Sequence, residues 1–267
     1  MKVLMTGALG HIASRIVPLL AARHELLLTD LNAGEVAGLP VEPLDITDLE
    51  AVTRASKGVD AVVHLAIASA RNFVKDRETF RNNQGECYLR FNEASIDVNV
   101  RGSYHVYEAA KQNGIGRVVY GSSLTVLLGA PRYEAVADDL RPRPSNFYAV
   151  TKLWGEQLAE YYARTHGMTI YCLRFGTPHP WKEHPQYAQW VAHPCRDWTF
   201  VTYHDLARAV DAGLTFQNGP AFGTYTVVSD FAGRRFDVSE GAKIGWQPGD
   251  FVERDGTVRP VTSPAGC

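Results

Sequence analysis

MTGALGHIAS, residues Met5–Ser14, is the stretch that decides the fold. It follows a short apolar run that predicts a buried strand, and it precedes apolar residues at helical spacing. Gly7 permits a sharp turn out of the strand, and Gly10 permits the backbone to approach a phosphate at the positive amino end of the helix. Ala13 stands where the usual fingerprint has a third glycine. On its own, the stretch fits a plain strand-to-helix turn as well as a phosphate cradle.

A carboxylate after the next predicted strand favours the cradle. Asp30 ends the run ELLLTD, about twenty residues beyond the glycines, where it accepts hydrogen bonds from adenosine ribose hydroxyls and repels a 2′-phosphate. The next residues, Leu31 and Asn32, include no arginine to hold such a phosphate. NAD is therefore the expected cofactor in preference to NADP, although aspartate after a strand is also common in turns and helix caps.

Predicted strands and helices alternate along the chain. The runs KVLM, ELLLTD, DAVVHLA, RVVYGSS and TIYCLRFG are typical of buried strands, helical patterns lie between them, and residues 95–114 predict one helix that ends at a glycine. This alternation predicts an α/β fold, a Rossmann-type doubly wound parallel sheet with helices on both faces. We expect an NAD-binding domain over residues 1–176. A small substrate-binding region, interleaved with it, is expected over residues 177–267, where proline, histidine and tryptophan accumulate.

The composition excludes several classes of protein. In 267 residues the chain carries 27 basic and 29 acidic side chains, a net charge of −2, so no bulk field attracts nucleic acid or an anionic membrane. Neither the four cysteines nor the histidines of residues 179–193 have the spacing of a metal site, and we expect no metal. The apolar run at the amino terminus is too short for a signal peptide or a membrane span. We expect a cytoplasmic protein with reduced thiols.

One helical segment carries a candidate catalytic pair. In NFYAVTKLWGE, Tyr148 and Lys152 are one turn apart on one face of a helix. An ammonium near a tyrosine stabilises the phenolate and lowers the tyrosine pKa from its usual value of about 10. Ser123 ends the predicted strand VVYGSS, where its hydroxyl can bond the oxygen that gains or loses a proton. Such a pair alone is more common on solvated helices, but with the glycine turn and the serine it indicates a catalytic site.

The ordered motifs resemble those of one enzyme family. TGALGHIA, Asp30, LDITD, VVHLA, DVNVRGSYHVYEAA, GSSLTV, YAVTK and LRFG together resemble the extended short-chain dehydrogenase/reductases, the NAD-dependent epimerase/dehydratase group, over residues 1–176. The resemblance implies Tyr148 as the base and Lys152 as the modulator of its pKa and the anchor of the cofactor ribose. It implies Ser123 as the hydroxyl partner and Asn99 as a support of the active-site helix.

The same resemblance implies a set of cofactor-binding positions. Asp45 and Ile46 would flank the adenine, and Leu65 and Ala66 would lie along the cofactor. The full set is Gly7, Gly10, His11, Ile12, Asp30, Asp45, Ile46, Leu65, Ala66, Tyr148 and Lys152.

The chain length favours one subgroup of this family. Nucleotide-sugar enzymes of this group usually carry a larger carboxyl-terminal domain, so the chain looks most like the uronate dehydrogenases, which oxidise a free sugar acid at its anomeric carbon. Two features depart from that pattern: the polar insert 71–93 is longer than expected, and no arginine in TPHPWKEHPQY matches the one that would bind a uronate carboxylate. Lys182 or Arg196 could replace it, although such charges are usually solvated. The similarity implies these substrate-contacting positions: Ser69, Ser123, Thr125 and Thr177.

Three functions are compatible with these motifs. In an NAD-dependent oxidoreductase acting on a sugar hydroxyl, Tyr148 removes the hydroxyl proton while the adjacent carbon passes hydride to the nicotinamide. A sugar or nucleotide-sugar epimerase would return the hydride with no net redox change, whereas a dehydratase would need an acid where Leu124 and Thr125 follow the serine. A non-catalytic dinucleotide-binding regulator would have no use for the Tyr/Lys pair. The resemblance also implies a homodimer formed through helical segments 97–112 and 148–163.

Overall fold

The computed structural model describes residues 1–69, 73, 85–129, 140–179, 199–231, 234, 236–253 and 257–261. The strands in this part of the chain are β1 (Lys2–Thr6), β2 (Glu25–Asp30), β3 (Gly34–Val36), β4 (Leu39–Pro43), β5 (Ala61–His64), β6 (Arg117–Ser123), β7 (Thr169–Phe175), β8 (Thr177–His179), β9 (Phe200–Thr202), β10 (Phe222–Val227), β11 (Asp250–Val252) and β12 (Val258–Pro260).

A mostly parallel sheet forms the centre of the molecule. Its strand order is β10-β7-β6-β5-β1-β2-β4-β3, and every neighbouring pair is parallel except β3 with β4. The chain first builds outward from β1 through β2 to β4, then crosses over and builds outward from β5 on the other side. The strand order therefore reverses between β1 and β5, which confirms the Rossmann-type doubly wound fold.

Helices cover both faces of the sheet. Along β1, Val3 and Met5 pack in the core on one face of the sheet, whereas Leu4 points into the core on the other face. Side chains alternate between the two faces of a strand, so a strand buried on both faces is apolar throughout. The helices are α1 (Ala13–Ala21), α2 (Leu49–Ala55), α3 (Glu86–Ser95), α4 (Ser103–Gln112), α5 (Phe147–His166) and α6 (Tyr203–Thr215).

The single helix expected over residues 95–114 is wrong in its bounds. Helix α3 already begins at Glu86, inside the polar insert, and π-helical turns over Ile96–Gly102 separate it from α4. π-helical turns are rare and often occur at functional sites. Here they carry Asn99, whose side chain is buried between neighbouring elements. Helical spacing in the sequence does not distinguish these turns from an ordinary α-helix.

Residues beyond 176 complete the main sheet. Strand β10 pairs in parallel with β7 at the edge of the sheet, and α6 packs against α1. Residues Ser239–Ile244 form a 3₁₀ helix, where the motif GAKIGWQPG predicts a short helix. Strand β10 and helix α6, from the described residues after 176, thus share a sheet and a core with the preceding part of the chain, and a functional boundary at residue 176 stays a prediction.

Candidate active site

The cofactor and catalytic residues expected from the sequence meet in one cleft. Its volume is about 880 Å³, and it lies at the carboxyl ends of the central strands, beside the point where the strand order reverses. Asn99 and Thr125 do not line it but bond to residues that do. The expected residues that line the cleft are Gly7, Gly10, His11, Ile12, Asp30, Asp45, Ile46, Leu65, Ala66, Ser69, Ser123, Tyr148, Lys152 and Thr177.

The glycine turn is shaped by the backbone that passes beneath it. Gly7 has φ +76°, and a Cβ atom there would lie 2.6 Å from the backbone of Ala66. At Gly10 a Cβ atom would lie 2.9 Å from the Gly7 carbonyl oxygen, which already accepts the Gly10 amide at 3.0 Å. The hydrocarbon side chain of Ile12 does not cap α1. The amino end of α1 therefore lies at the cleft without a side-chain cap, which fits a bound pyrophosphate.

Asp30 is held rigidly at the carboxyl end of β2. Its Oδ2 accepts the Leu9 amide at 2.9 Å, and its Oδ1 accepts the Leu31 amide at 2.7 Å. The carboxylate thus stabilises the local turn and also lines the cleft, so the two roles considered for it are compatible. Asp45 similarly orders its own turn, since its Oδ1 accepts both the amide and the hydroxyl of Thr47 at 2.8 Å.

Tyr148 and Ser123 form the polar pair of the catalytic end. Asn146 caps α5 by accepting the Ala149 amide at 2.9 Å, so Tyr148 lies in the first turn of that helix. The Thr125 hydroxyl donates to Ser123 Oγ at 3.0 Å, which leaves the Ser123 hydroxyl proton for the Tyr148 oxygen. Burial raises the pKa of Tyr148 to about 12, and the hydrogen bond from Ser123 opposes that rise.

Lys152 is buried, and its ammonium group turns toward the sheet. Its Nζ donates to the Gly121 carbonyl at 2.6 Å, and it lies 4.6 Å from the centre of the Tyr120 ring and 6.0 Å from that of Tyr148. Burial lowers the pKa of Lys152 to about 7. Burial is the largest influence on the pKa of both groups, and the lowering of the Tyr148 pKa by Lys152 stays a prediction.

Asn99 connects the strand-end loop to the catalytic helix. Its Oδ1 accepts the Ala68 amide at 2.8 Å, and its Nδ2 donates to the Thr151 hydroxyl at 3.0 Å. Thr151 in turn donates to the Tyr148 carbonyl at 2.8 Å. This arrangement gives Asn99 the geometry of a support for the active-site helix.

Three buried polar residues beneath the site were missed at the level of sequence. Glu156 and Arg174 form an ion pair with an Nη2 to Oε2 distance of 2.8 Å, and Ser122 Oγ donates to Glu156 Oε1 at 2.6 Å. Two signals were available: Glu156 follows Lys152 by one helical turn in YAVTKLWGE, and Arg174 is the one charged residue within the apolar strand TIYCLRF.

The expected substrate positions are only partly described. Ser69 and Thr177 line the cleft, and the Thr177 hydroxyl is hydrogen-bonded to that of Thr199 at 2.9 Å. Thr125 acts on Ser123 instead. Most of the insert 71–93 lies outside the described residues, as do Lys182, His184, His193 and Arg196.

Two absences apply to the described part of the chain. It contains no group of three or more histidine, cysteine, aspartate or glutamate side chains arranged to hold a metal ion. None of its helices combines the length and the apolar character that crossing a membrane requires.

Similarity to known proteins gives the family. The model of the NAD-dependent epimerase/dehydratase family matches residues 3–179. This chain belongs to that family. Membership makes the protein an NAD-dependent enzyme of the short-chain dehydrogenase/reductase type, and NAD fits the cleft, since a Cβ atom at Gly7 or Gly10 would fill the turn expected to cradle the pyrophosphate.

Individual relatives within the family are sugar dehydrogenases. The chain is 33% identical to the L-arabinose 1-dehydrogenase (NAD(P)(+)) of Haloferax volcanii over 66% of either chain. It is 27% identical to the uronate dehydrogenase of Pseudomonas putida, over 94% of this chain and 85% of that one. The crystal structure of uronate dehydrogenase from Agrobacterium tumefaciens superimposes with a TM-score of 0.75 at 26% identity, covering 94% of this chain and 85% of the other.

Proposed function

We propose that the protein oxidises the hydroxyl group on the anomeric carbon of a free sugar or sugar acid and transfers the hydride to NAD. The observation that carries the proposal is that Ser123, Tyr148 and Lys152 lie together in the lining of one cleft, which also contains the glycine turn and Asp30. The arabinose and uronate dehydrogenases among its relatives support a substrate without a nucleotide group.

Each catalytic residue has a defined task in this reaction. Tyr148 accepts the proton of the substrate hydroxyl while the carbon that bears it loses hydride, so a cyclic sugar becomes a lactone. NAD supplies the hydride acceptor when it is bound. Because burial disfavours the phenolate, Tyr148 depends on the Ser123 hydroxyl and on the charge of Lys152 nearby. Asn99 keeps the first turn of α5 in place, and Ser69 and Thr177 bind substrate hydroxyls.

The cofactor occupies the remainder of the cleft. The glycine turn, with His11 and Ile12, holds the pyrophosphate, and Asp30 accepts hydrogen bonds from the adenosine ribose. Asp45 and Ile46 flank the adenine, whereas Leu65 and Ala66 lie along the middle of the dinucleotide. The two Asp30 oxygens are fixed by backbone amides, so a 2′-phosphate would meet an unmoving negative charge.

A homodimer in the cytoplasm completes the proposal. On α5, the apolar side chains of Val150, Trp154 and Tyr161 are 50%, 37% and 46% exposed and follow one another at helical spacing. Tyr104, in the neighbouring segment 97–112, is also exposed, as is Ile96 just before that segment. These side chains support a second copy of the chain as their cover, and the free thiols of the two described cysteines support a reducing compartment.

The test is a spectroscopic screen for NADH formation with aldoses, uronic acids and nucleotide sugars. With the best substrate, Tyr148→Phe is expected to lower kcat by about 10²- to 10⁴-fold, because the general base is lost. Tyr171→Phe, which removes a buried tyrosine hydroxyl on β7 outside the cleft, is the matched control and should keep full activity.

Three outcomes would contradict the proposal. Undiminished turnover by Tyr148→Phe would remove the base from the mechanism. Conversion of a sugar to its epimer without net NADH formation would instead assign the site to an epimerase. Binding of NAD with no turnover of any class of sugar would favour a non-catalytic regulator.

A further inference from the structure

A buried ion pair lies beside the catalytic pair and has no task in the mechanism above. Glu156 accepts two hydrogen bonds from Arg174, Nε to Oε1 at 2.9 Å and Nη2 to Oε2 at 2.8 Å, and a third from the Ser122 hydroxyl. The Glu156 and Arg174 side chains are only 1% and 3% exposed. Burying two ions costs free energy that the pair itself often fails to recover, so a buried pair is weak evidence of a purely stabilising role.

We propose that Glu156 is a positioning residue that acts on the reaction through Lys152: its fixed carboxylate keeps Lys152 as an ammonium ion where water is excluded. Arg174 and Ser122 hold that carboxylate in place. The inference rests on the proposed function, because it concerns the same catalytic pair.

Among the described groups around Lys152, Glu156 is the source of negative charge. Burial works against the ammonium and lowers the Lys152 pKa to about 7, whereas Cys172 and, after it, Glu156, one helical turn from Lys152, oppose that lowering. Burial raises the pKa of the Cys172 thiol well above its ordinary range, so that group is neutral. The charged and titratable groups described around Lys152 are His64 on β5, Tyr120 on β6, Cys172 and Arg174 on β7, and Tyr148 and Glu156 on α5.

The remaining groups are not anions at neutral pH. Burial keeps the pKa of His64 at about 3 and raises that of Tyr120, so both are uncharged. Of the described groups around Lys152, Glu156 alone is therefore negative. Because the Lys152 and Glu156 side chains are both buried, the charge of Glu156 acts on the ammonium over a longer distance than it would between exposed groups.

A double-mutant cycle tests the coupling without substrate or nucleotide. Lys152→Met, Glu156→Gln and the double variant are unfolded with urea at pH 6 and at pH 9. At pH 6, where Lys152 is protonated, the two substitutions are expected to be non-additive by about tenfold in the unfolding equilibrium constant, as for one unit of pKa. At pH 9 the coupling should be largely lost, because Lys152 is then neutral.

A matched control uses the next carboxylate on the same helix. Glu160 is exposed, and Glu160→Gln combined with Lys152→Met should be additive at both pH values. Coupling between Lys152 and Glu156 that is zero, or that is equal at pH 6 and pH 9, would overturn the proposal and leave Glu156 a structural residue.

If Glu156→Gln does not fold on its own, the cycle is repeated with a double substitution in its place. Glu156→Gln with Arg174→Gln removes both charges, so no unpaired ion stays buried. Because the Glu156 charge is lost in this double variant too, it should still show pH-dependent coupling to Lys152→Met. Equal coupling at both pH values would again contradict the inference.

The pH profile of the active enzyme provides the functional readout. Glu156→Gln should move the midpoint of the alkaline limb of the kcat/KM profile to lower pH. The reason is that the Lys152 ammonium then loses its proton more easily as the pH rises. Glu160→Gln, which removes an exposed carboxylate of the same helix, should leave the midpoint within about half a unit of the wild-type value. If Tyr148→Phe kept its turnover, the proposed function would fail, whereas the stability cycle would still decide the role of Glu156.

Discussion

His64 is buried between β1 and α4, and its two ring nitrogens have different partners. Ser103 donates its hydroxyl proton to the Asn99 carbonyl at 2.6 Å, so its oxygen accepts from His64 Nε2 at 3.0 Å. The other nitrogen, Nδ1, then accepts from the Thr6 hydroxyl at 2.8 Å. The neutral ring is thus fully hydrogen-bonded, and burial, with a smaller effect of the Lys152 charge, lowers its pKa to about 3.

This buried histidine predicts a loss of stability in mild acid. Between pH 6.5 and pH 3 the unfolded chain binds a proton at His64 that the folded chain does not, so the free energy of unfolding decreases as pH falls. From pH 7 to pH 5 this one group accounts for about 2 kcal/mol. In urea unfolding of His64→Gln, the free energy of unfolding should fall by about 2 kcal/mol less between pH 7 and pH 5 than it does in the wild-type protein. Ser103→Ala keeps the imidazole and should keep the steep slope; an unchanged slope in His64→Gln would refute the assignment.

At the scale of single residues, the sequence predicts the side chains that line the cleft better than those behind it. Gly7, Asp30, Ser123 and Tyr148 were recognisable because each belongs to a local pattern, a turn, a strand end or a helical pair. Glu156 and Arg174 meet only through tertiary packing of α5 on β7, and no local pattern encodes their contact. Burial likewise raises the pKa of Tyr148, and burial is a property of the whole fold.

At the scale of elements, the π-helical turns couple the strand-end loop to α5 through Asn99. Asn99→Ala would leave the buried Ala68 amide without its acceptor, which costs about 1–3 kcal/mol of stability. It would also free Thr151, which bonds the Tyr148 carbonyl, so kcat is expected to fall by about tenfold or more because the base is misplaced.

A second asparagine gives the matched control for this prediction. Asn113, at the end of α4, donates to the Thr53 carbonyl and the Ser56 hydroxyl, each at 2.8 Å, away from the cleft. Asn113→Ala should therefore lower the urea midpoint to a comparable degree but leave kcat unchanged. Equal kcat values for the two variants would show that Asn99 has no particular role in positioning the catalytic helix.

Periodicity predicts most of the elements, because burial on both faces makes the strands continuous apolar runs and one buried face gives the helices their spacing. It fails where tertiary contacts set the backbone, as in the turns over Ile96–Gly102, whose residues resemble an ordinary helix. It also failed to find the start of α3, since Glu86–Ser95 is polar and has only two buried residues.

At the scale of the whole molecule, α5 lies between the cleft and the surface proposed for dimer formation. Its inner face carries the catalytic pair, and Val150 and Trp154 on its outer face are exposed in the single chain. An aromatic side chain at the centre of an interface is a frequent hot spot, and a charge placed there would be desolvated on association. Trp154→Glu is therefore expected to give a particle of 29.5 kDa in light scattering, against twice that mass for the wild-type protein.

The position of this face on the catalytic helix extends the prediction to activity. Association stabilises α5, so kcat per chain should decline on dilution below the dissociation constant of the dimer, and Trp154→Glu should show the lower value at every concentration. Val258→Glu, which changes an exposed valine on β12, is the control and should keep both the doubled mass and the full activity. A wild-type mass of 29.5 kDa at high concentration would exclude this dimer. The exposed apolar side chains of α5 would then require an explanation other than contact with a second copy of the chain.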